Sequence, residues 1–162
     1  MQQHSFQNNI LNLKVKKSPY IVRLILFILA FAFFAFPIVG TIFGIVLGSG
    51  LHIGYFISIG IFSLIGFYSL RIALWNTYGQ ETIQILENKV IYEVNYGWFN
   101  DGKKETLISN PSFESYPSGF VEDNQEVLII TEENLKVESA VKMPATQMQE
   151  LLLKLREANN WK

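Results

Sequence analysis

Two long apolar stretches dominate the first half of the chain. Residues 24–47 are almost continuously apolar, and residues 53–74 form a second run that only Arg71 interrupts near its end. A helix rises about 1.5 Å per residue and a bilayer core is about 30 Å thick, so one span needs roughly 20 such residues. The pattern therefore predicts two membrane-spanning helices, which the short turn at residues 48–52 joins into an antiparallel hairpin over 20–75.

After this hairpin the apolar positions alternate with polar ones instead of recurring at helical spacing. Alternation of this kind is typical of half-buried strands, and it predicts about six short strands in an antiparallel meander. They are expected, in order, at residues 82–85, 90–96, 105–109, 113–116, 126–131 and 135–141. A tight turn is expected at residues 100–103, where Asn, Asp and Gly occur together.

The last predicted element is an amphipathic helix that begins near Pro144. Its apolar side chains recur at helical spacing on one face: Met148, Leu151, Leu152 and Leu155. The predicted fold class is α+β, a transmembrane hairpin followed by a small antiparallel sheet or barrel that a C-terminal helix closes. The expected domains are a polar, basic N-terminal tail over residues 1–19, the hairpin over 20–75 and the C-terminal domain over 76–162.

This arrangement resembles the bacterial membrane proteins that combine a two-helix anchor with a pleckstrin-homology-like (PH-like) domain, a family of unknown function. The second span leading into residues 74–83 (Leu-Trp-Asn-Thr-Tyr-Gly-Gln-Glu-Thr-Ile), and the strand hairpin after it, carry the resemblance. It covers residues 20–158 and implies a bent antiparallel sheet plugged by the C-terminal helix. An unrelated small sheet with a helix stays an alternative.

Charge is distributed unevenly between the two halves of the chain. All 14 acidic residues and eight of the 13 basic residues lie in residues 76–162. Lys14, Lys16, Lys17 and Arg23 precede the first span, and the turn between the spans carries no charge. Because positively charged flanks stay on the cytoplasmic side, both termini are expected in the cytoplasm. The resemblance to bacterial membrane proteins implies that the membrane is the bacterial cytoplasmic (inner) membrane.

Two alternatives compete with a membrane hairpin. A buried helical hairpin in a soluble protein would need amphipathic partners, and the remaining chain is too short to supply them. A cleaved signal peptide would explain the basic start, but its apolar core is about 7–15 residues long, and here a second span follows directly. The membrane hairpin explains the pattern better than either alternative.

Small residues recur at a spacing of four around the turn of the hairpin. Gly40, Gly44 and Gly48 precede the turn, and Gly54 and Ser58 follow it. Small residues at this spacing allow helix backbones to approach closely in lipid. The face predicts helix packing, either between the two helices of one chain or against a second copy or a partner.

The composition excludes several kinds of chemistry. The chain has no cysteine, so disulfides, thiolate catalysis and sulfur-ligated zinc are excluded. Residues 76–162 contain no histidine, so a serine triad would lack its general base. Their glycines are isolated, so there is no glycine-rich loop of the kind that binds phosphate. An acidic domain without a basic stripe does not suit nucleic acid. We therefore expect no catalytic residue, metal, cofactor or small-molecule substrate, and interpret the domain as non-enzymatic.

Basic side chains offer only a weak membrane-surface contact. Phosphoinositide-binding PH domains place several basic residues around the first strand hairpin, where this chain has only Lys89. A basic residue near an anionic surface is worth about 1 kcal/mol, enough to orient a tethered domain but not to hold a head group. The membrane-surface candidates are Lys14, Lys16, Lys17, Lys103 and Lys104.

Aromatic residues next to a predicted turn are the best candidates for protein binding. Tyr96, Trp98 and Phe99 lie together there, and aromatic rings are favoured interface anchors. The alternative is that Trp98 packs in the core. The leading functional hypothesis is an accessory or scaffold protein that binds a partner membrane protein, or a second copy of itself, through the hairpin and the C-terminal domain. The alternative is a membrane-tethered module that senses an anionic lipid surface.

Overall fold

The computed structural model describes residues 2–159 of the chain, which fall into two compact units. Lys17–Thr77 forms a helical unit, and the residues up to Lys16 together with those from Tyr78 onwards form a second unit, here called the sheet unit. The architecture is α+β, with two long apolar helices, antiparallel sheets and a C-terminal helix, as predicted. The described strands form two sheets and no closed barrel.

The helical unit is built from α1 (Tyr20–Val46) and α2 (Ile53–Tyr78). Both helices are long and apolar enough to cross a membrane, with mean hydropathies of 2.6 and 1.8 in their most apolar segments. These are the two spans predicted at residues 24–47 and 53–74. Only 11% and 6% of those segments are buried, whereas a helix in the core of a soluble protein is mostly buried. Their surface therefore suits lipid better than a soluble core.

The helices contact each other at several levels. The rings of Phe33 and Phe62 lie 6.2 Å apart between centroids. Where the two ends of the helical unit meet, the Ser18 hydroxyl donates to Asn76 Oδ1 at 2.7 Å. The second contact joins the first residues of the unit to its last ones, as a hairpin requires.

The N-terminal segment was predicted as a polar tail over residues 1–19, and this part of the domain prediction is wrong for the described residues 2–19. His4–Gln7 forms β1 and Ile10–Lys14 forms β2, and the two strands pair as an antiparallel hairpin. Asn8 and Asn9 between them have φ values of 50° and 61°. Both central residues of a type I′ turn need this left-handed conformation, which asparagine tolerates. The N-terminal segment is therefore part of the sheet unit.

The first sheet is a five-stranded antiparallel meander that the helical unit interrupts in sequence. Its order is β1-β2-β3-β4-β5, where β3 is Gln80–Ile85, β4 is Val90–Asn95 and β5 is Asn100–Thr106. Lys14 on β2 lies opposite Gln80 on β3. The helical unit is thus an insertion between two neighbouring strands of one sheet.

The buried face of the first sheet continues across this insertion. Leu11 and Leu13 on β2 are 0% exposed, and Ile83 and Val90 on the next two strands are buried with them. Burial of a leucine side chain is worth about 1.5–3 kcal/mol. The N-terminal strands therefore supply part of the hydrophobic core rather than only covering an edge.

The turn expected at residues 100–103 lies four residues earlier, so this prediction is wrong. Tyr96 N donates to Phe99 O at 2.9 Å and closes a turn over residues 96–99. Gly102, which suggested the turn, lies where the register between β4 and β5 shifts, with φ of 65°. A left-handed glycine suits a bulge as well as a turn, so its presence alone did not distinguish the two.

The second sheet contains β6 (Ser112–Pro117), β7 (Gln125–Glu132) and β8 (Leu135–Glu138) in that order. The two-residue β9 (Met143–Pro144) pairs with the beginning of β7. The irregular strand expected at residues 113–116 is longer and regular, since every residue of β6 has a partner on β7.

The amphipathic helix predicted near Pro144 is α3 (Ala145–Asn159). It contacts β6 and β7 of the second sheet and β1 of the first. Its predicted apolar face is buried: Met148, Leu151, Leu152 and Leu155. α3 therefore covers parts of both sheets and completes the core of the sheet unit.

Candidate functional site

The predicted glycine face takes part in helix packing at one of its four glycines. A methyl group at Gly44 would collide with the hydroxyl of Tyr55 on the other helix. At Gly40, Gly48 and Gly54 the same methyl group would meet no atom of the described neighbouring residues within 4 Å. The face is therefore open at three of its four glycines.

The hairpin has a second packing glycine that the spacing of four did not predict. A methyl group at Gly66 on α2 would lie 2.9 Å from Cε2 of the Phe34 ring. Ser58, the remaining member of the predicted face, is half-buried. The two helices thus meet through aromatic rings that cover single glycines rather than through a continuous stripe of small residues.

Gly66→Ala is expected to destabilise the helical unit by about 1–3 kcal/mol, because the Phe34 ring must move to admit the methyl group. Gly60→Ala on the same helix is the matched control, since nothing described lies within 4 Å of its added methyl group. Alanine is a better helix former than glycine, so the control should be neutral or slightly stabilising. Thermal unfolding of the full chain in detergent micelles measures both, and equal midpoints would contradict the packing role of Gly66.

The aromatic turn between β4 and β5 separates its rings between core and surface. Tyr96 is buried and stacks with Phe99 at a centroid distance of 5.0 Å. Trp98 is 60% exposed, so the structure does not place it in the core. Gly97, with φ of 88°, donates its N–H to Asn95 Oδ1 at 2.6 Å. The turn thus presents one large aromatic side chain to its surroundings and anchors the other two.

The predicted membrane-surface lysines do not form one cluster. Lys103 and Lys104 are exposed in the middle of β5. Lys14 lies at the end of β2, with β3 and β4 between it and β5. Lys16 and Lys17 are exposed beyond that strand, on either side of the boundary between the two units. The structure therefore offers scattered positive charges rather than a head-group site.

A carboxylate that the sequence analysis did not single out lies at the centre of the sheet unit. Glu81 on β3 is 0% exposed. Its Oε1 accepts hydrogen bonds from the Tyr92 hydroxyl and from Ala140 N, both at 2.6 Å, and its Oε2 accepts one from Val141 N at 3.3 Å. The carboxylate therefore connects the first sheet to the segment that follows β8.

The environment of Glu81 opposes its ionisation. Burial raises the pKa of the Glu81 carboxyl above its ordinary value, and the hydrogen bonds from Tyr92 and from the two backbone N–H groups offset only part of this effect. Burial and the bond to Glu81 also raise the pKa of the Tyr92 phenol. Because Glu81 is inaccessible to solvent, its carboxyl group is not open to a substrate. Together with Tyr92 it connects β3 and β4 to the segment that follows β8.

Glu81 is expected to make stability fall as the pH rises. The folded-state pKa lies above the unfolded-state value of 4.5, so between the two values the folded chain holds a proton that the unfolded chain has released. Stabilisation from this group is complete below the unfolded-state pKa and is lost as the pH rises through the folded-state pKa, by at most about 1.4 kcal/mol per pH unit.

The measurement compares wild type with Glu81→Gln by chemical unfolding between about pH 4.5 and 8. Subtracting the two profiles removes the titration of His4, Glu105 and Glu150, whose lowered pKa values act in the opposite direction. The stability difference should move in favour of the glutamine variant as the pH rises. A difference that does not vary with pH would contradict the raised pKa.

His4 brings a histidine into the sheet unit, although residues 76–162 contain none. Its side chain is 1% exposed, and Nε2 lies 3.9 Å from Glu150 Oε1 and 3.3 Å from Gln2 Nε2. Nδ1 has no hydrogen-bond partner among the described residues, and burial lowers the pKa of the imidazole. His4 therefore lies next to one carboxylate and one side-chain amide.

The described residues contain no group of three or more His, Asp and Glu side chains arranged to hold a metal ion. A surface pocket lies at the end of the first sheet where β3 turns into β4. Its lining combines two apolar side chains with one acidic, one basic and two amide side chains: Leu86, Leu107, Glu87, Lys89, Asn9 and Asn88. This mixed lining does not point to one class of ligand.

Comparisons with protein-family models, with curated proteins and with solved structures gave no significant match for the chain. Its function therefore has to be argued from its own residues and contacts.

Two features escaped sequence reasoning although the sequence carried a signal for each. Glu81, Ile83 and Ile85 occupy every second position of one strand, so their side chains point to the same face. The alternation therefore predicted an acidic side chain on the buried face. Asn8 and Asn9 precede the alternating pair Leu11 and Leu13, which is the pattern of a two-residue hairpin turn and a strand. Both signals extend over only a few residues. The basic residues after β2 favoured the interpretation of the N-terminal segment as a polar tail.

Proposed function

We propose that the chain is a non-enzymatic accessory or scaffold protein of the bacterial cytoplasmic membrane that binds a partner membrane protein. In this proposal α1 and α2 cross the bilayer and the sheet unit lies in the cytoplasm. The observation that best supports this membrane arrangement is the pairing of β2 with β3, in which Lys14 lies opposite Gln80. Strands that flank a pair of spans can pair only when both flanks lie on the same side of the membrane.

The same pairing argues against α1 as a cleaved leader. Cleavage after α1 would remove β1 and β2 together with the fully buried Leu11 and Leu13. It would also expose the edge of β3, and an unpaired strand edge favours aggregation. A leader peptide is removed from the mature protein, whereas this segment belongs to the fold.

The cytoplasmic assignment of the sheet unit rests on the charged flanks. Lys14, Lys16, Lys17 and Arg23 come before or at the beginning of α1, and Arg71 lies in the last part of α2. Both ends of the hairpin that are joined to the sheet unit thus carry positive charge, and the turn between the helices carries none. Positive residues favour the cytoplasmic side.

A PH-like identity for the sheet unit is part of this proposal. The resemblance implies a bent antiparallel sheet plugged by a C-terminal helix. Two features of the sheet unit support it: all pairings within its two sheets are antiparallel, and α3 contacts strands of both. In this interpretation the two spans are inserted after β2, so the domain begins before the membrane hairpin rather than after it.

The outer surface of the helices is the proposed contact with the partner. Gly40 on α1 and Gly60 on α2 have open space where a side chain would project, so a partner helix can approach the backbone there. Gly44 cannot test this contact, because a larger residue would collide with Tyr55 and disturb the chain's own packing.

Affinity capture of the tagged full chain from gently solubilised native membranes, with mass determination of the complex, tests the proposal. We expect a membrane protein to co-purify in stoichiometric amount with wild type and to be lost with Gly40→Leu or Gly60→Leu. The double variant Lys103→Glu, Lys104→Glu, which changes only exposed side chains on β5, is the control and should retain it.

The opposite pattern would favour the lipid-sensing alternative. In that alternative the chain purifies alone, and the lysine variant loses contact with vesicles that contain anionic lipid while the glycine variants keep it. Purification as a homo-oligomer that the glycine variants disrupt would instead identify a second copy of the chain as the partner.

A further inference from the structure

The exposed aromatic side chains of the sheet unit share one location. Among its described residues, four aromatic side chains are exposed. Trp98 is 60% exposed, Tyr116 64% and Phe120 82%, and Tyr78 is also largely exposed. Apolar side chains scattered singly over a surface are ordinary, whereas apolar side chains gathered in one region are typical of a protein or membrane interaction site.

Strand register places the Trp98 turn beside the points where the chain passes to the helical unit. Lys14, the last residue of β2, pairs with Gln80, Gln80 pairs with Asn95, and Asn95 pairs with Asn100. This row marks one end of the first sheet, and the turn that carries Trp98 closes β4 and β5 there. The chain leaves the sheet unit shortly after Lys14, the first residue of this row, and returns just before Gln80, the second.

The turn also packs directly on the returning chain. A methyl group at Gly97 would lie 2.7 Å from Cβ of Tyr78, and Tyr78 is the last residue of α2. The backbone next to Trp98 is therefore in contact with the residue that ends the second apolar helix.

The loop that carries Phe120 reaches the same end of the sheet unit. The Gln3 side-chain amide donates to Lys14 O and to Lys142 O, both at 3.1 Å. A methyl group at Gly119 would lie 3.8 Å from Lys142 Nζ. Gly119 thus lies near the side-chain end of Lys142, and the backbone of Lys142 is linked through Gln3 to the end of β2.

Tyr116 belongs to the same region by strand pairing. It lies opposite Val127, and the next pair, Pro117 with Glu126, is continued by Met143 of β9. Met143 directly follows Lys142, whose carbonyl oxygen accepts the bond from Gln3. All four exposed aromatic residues therefore lie around the end of the sheet unit that is connected to the apolar helices.

Short connections keep this end close to the helices along the chain. α1 begins at Tyr20, six residues after Lys14, and α2 ends at Tyr78, two residues before Gln80. Two residues of extended chain reach at most about 7 Å. This end of the first sheet is therefore separated from both apolar helices by only a few residues of chain.

We propose that Tyr78, Trp98, Tyr116 and Phe120 form a lipid-contacting face by which the sheet unit rests on the membrane that its own helices cross. The proposal depends on the proposed function in one respect, namely that α1 and α2 span a bilayer. Trp and Tyr favour the head-group region because their rings are apolar while the indole N–H or the hydroxyl stays hydrated.

Charge does not supply this contact. The same end carries Lys14, Lys16 and Lys142, but also Glu122 and Asp123 in the Phe120 loop. Acidic and basic groups are therefore mixed around the aromatic residues. The contact should be insensitive to the anionic lipid content of the membrane, which distinguishes it from electrostatic lipid sensing.

Single-cysteine spin labelling of the full chain in liposomes tests the face, because the chain has no cysteine of its own. The test positions are Trp98→Cys and Phe120→Cys. Leu107→Cys is the matched control, since Leu107 is 74% exposed and follows β5 at the opposite end of the same sheet, about 20 Å away at the usual rise of a strand. Leu64→Cys in the middle of α2 is the reference for membrane depth.

We expect the labels at residues 98 and 120 to collide more often with membrane-soluble oxygen than with a water-soluble nickel chelate, and the label at 107 to show the reverse. This order should be the same in liposomes of neutral lipid and in liposomes that contain anionic lipid. The two test positions lie on separate loops, so each is an independent measurement.

Two negative results have different meanings. Labels at residues 98 and 120 that are as accessible to the chelate as the label at 107, while the label at 64 is shielded, would overturn the lipid-contacting face and leave the membrane hairpin intact. If the label at 64 is also open to the chelate, the helices do not span the bilayer, and the proposed function fails together with this inference.

Discussion

Deleting residues 2–14 is expected to unfold the sheet unit, although the deletion leaves both apolar helices and every residue after them in place. The deletion removes β1 and β2, and with them the fully buried Leu11 and Leu13. Loss of a buried leucine side chain costs about 2–5 kcal/mol, and a whole domain is stable by only about 5–15 kcal/mol. Loss of both leucines, together with the strand that pairs with β3, should exceed the stability that remains.

The matched construction keeps the N-terminal strands and removes the helices instead. Replacing residues 17–77 with a short flexible linker joins β2 to β3 as an ordinary antiparallel hairpin, because Lys14 already lies opposite Gln80. We expect this chain to fold, and residues 78–162 alone not to fold, as judged by amide chemical-shift dispersion and near-ultraviolet circular dichroism. A well-dispersed spectrum from residues 78–162 alone would show that β2 is dispensable.

Glu81→Ala is expected to cost about 2–4 kcal/mol of folding stability. Alanine leaves the Tyr92 hydroxyl and the N–H groups of Ala140 and Val141 without the acceptor that the carboxylate supplies. It also opens a cavity between β3 and the segment that follows β8. Buried donors without acceptors and an unfilled cavity both destabilise the folded state.

Two further variants separate these contributions when unfolding by denaturant is measured on the full chain in micelles. Tyr92→Phe removes one hydrogen bond to Glu81 and should cost about 1 kcal/mol. Glu81→Gln retains an acceptor oxygen and should lie between Tyr92→Phe and Glu81→Ala. An alanine variant as stable as wild type would mean that the two backbone N–H groups find other acceptors, and that Glu81 does not hold the segment in place.

The apolar elements were predictable because their signal extends over many residues. Residues 24–47 and 53–74 fit helices of membrane-spanning length better than a signal peptide or a buried soluble hairpin. The helix after Pro144 was equally clear, since four apolar positions repeat at helical spacing and all four are buried in the structure. In a long periodic pattern a few exceptional residues do not change the period, so the type of secondary structure can be assigned from one sequence.

The domain boundary could not be placed in the same way, because it depends on a pairing between distant segments. Leu11 and Leu13 are two alternating apolar residues in a polar stretch, too few to establish a strand by themselves. What makes them a strand is β3, which lies on the other side of the apolar helices in sequence and offers a free edge. Tertiary pairing decided this element, and local pattern alone could not show it.

Glu81 escaped for a related reason. Its position in the alternation indicated a buried side chain, but its three hydrogen-bond donors come from Tyr92 and from residues 140 and 141, and the last two are about 60 residues away. Their arrival at one carboxylate depends on how the second sheet folds over the first. The aromatic turn shows the same limit, since the sequence placed Trp98 near a turn but could not distinguish the buried ring of Tyr96 from the exposed indole.

The pairing of β2 with β3 also sets the order of events during synthesis. In the proposed membrane arrangement, the first strands leave the ribosome long before β3, so β2 pairs with β1 but must wait for β3 while both apolar helices are made and inserted. The sheet can close only after the chain has returned to the side on which it started. A chain that inserted one helix and translocated the rest would keep its first strands separated from β3 by the membrane, and it could never complete its core. Folding of the sheet unit thus acts as a check on membrane topology, and chains with the wrong topology would expose an incomplete sheet to the proteases that remove unfolded proteins.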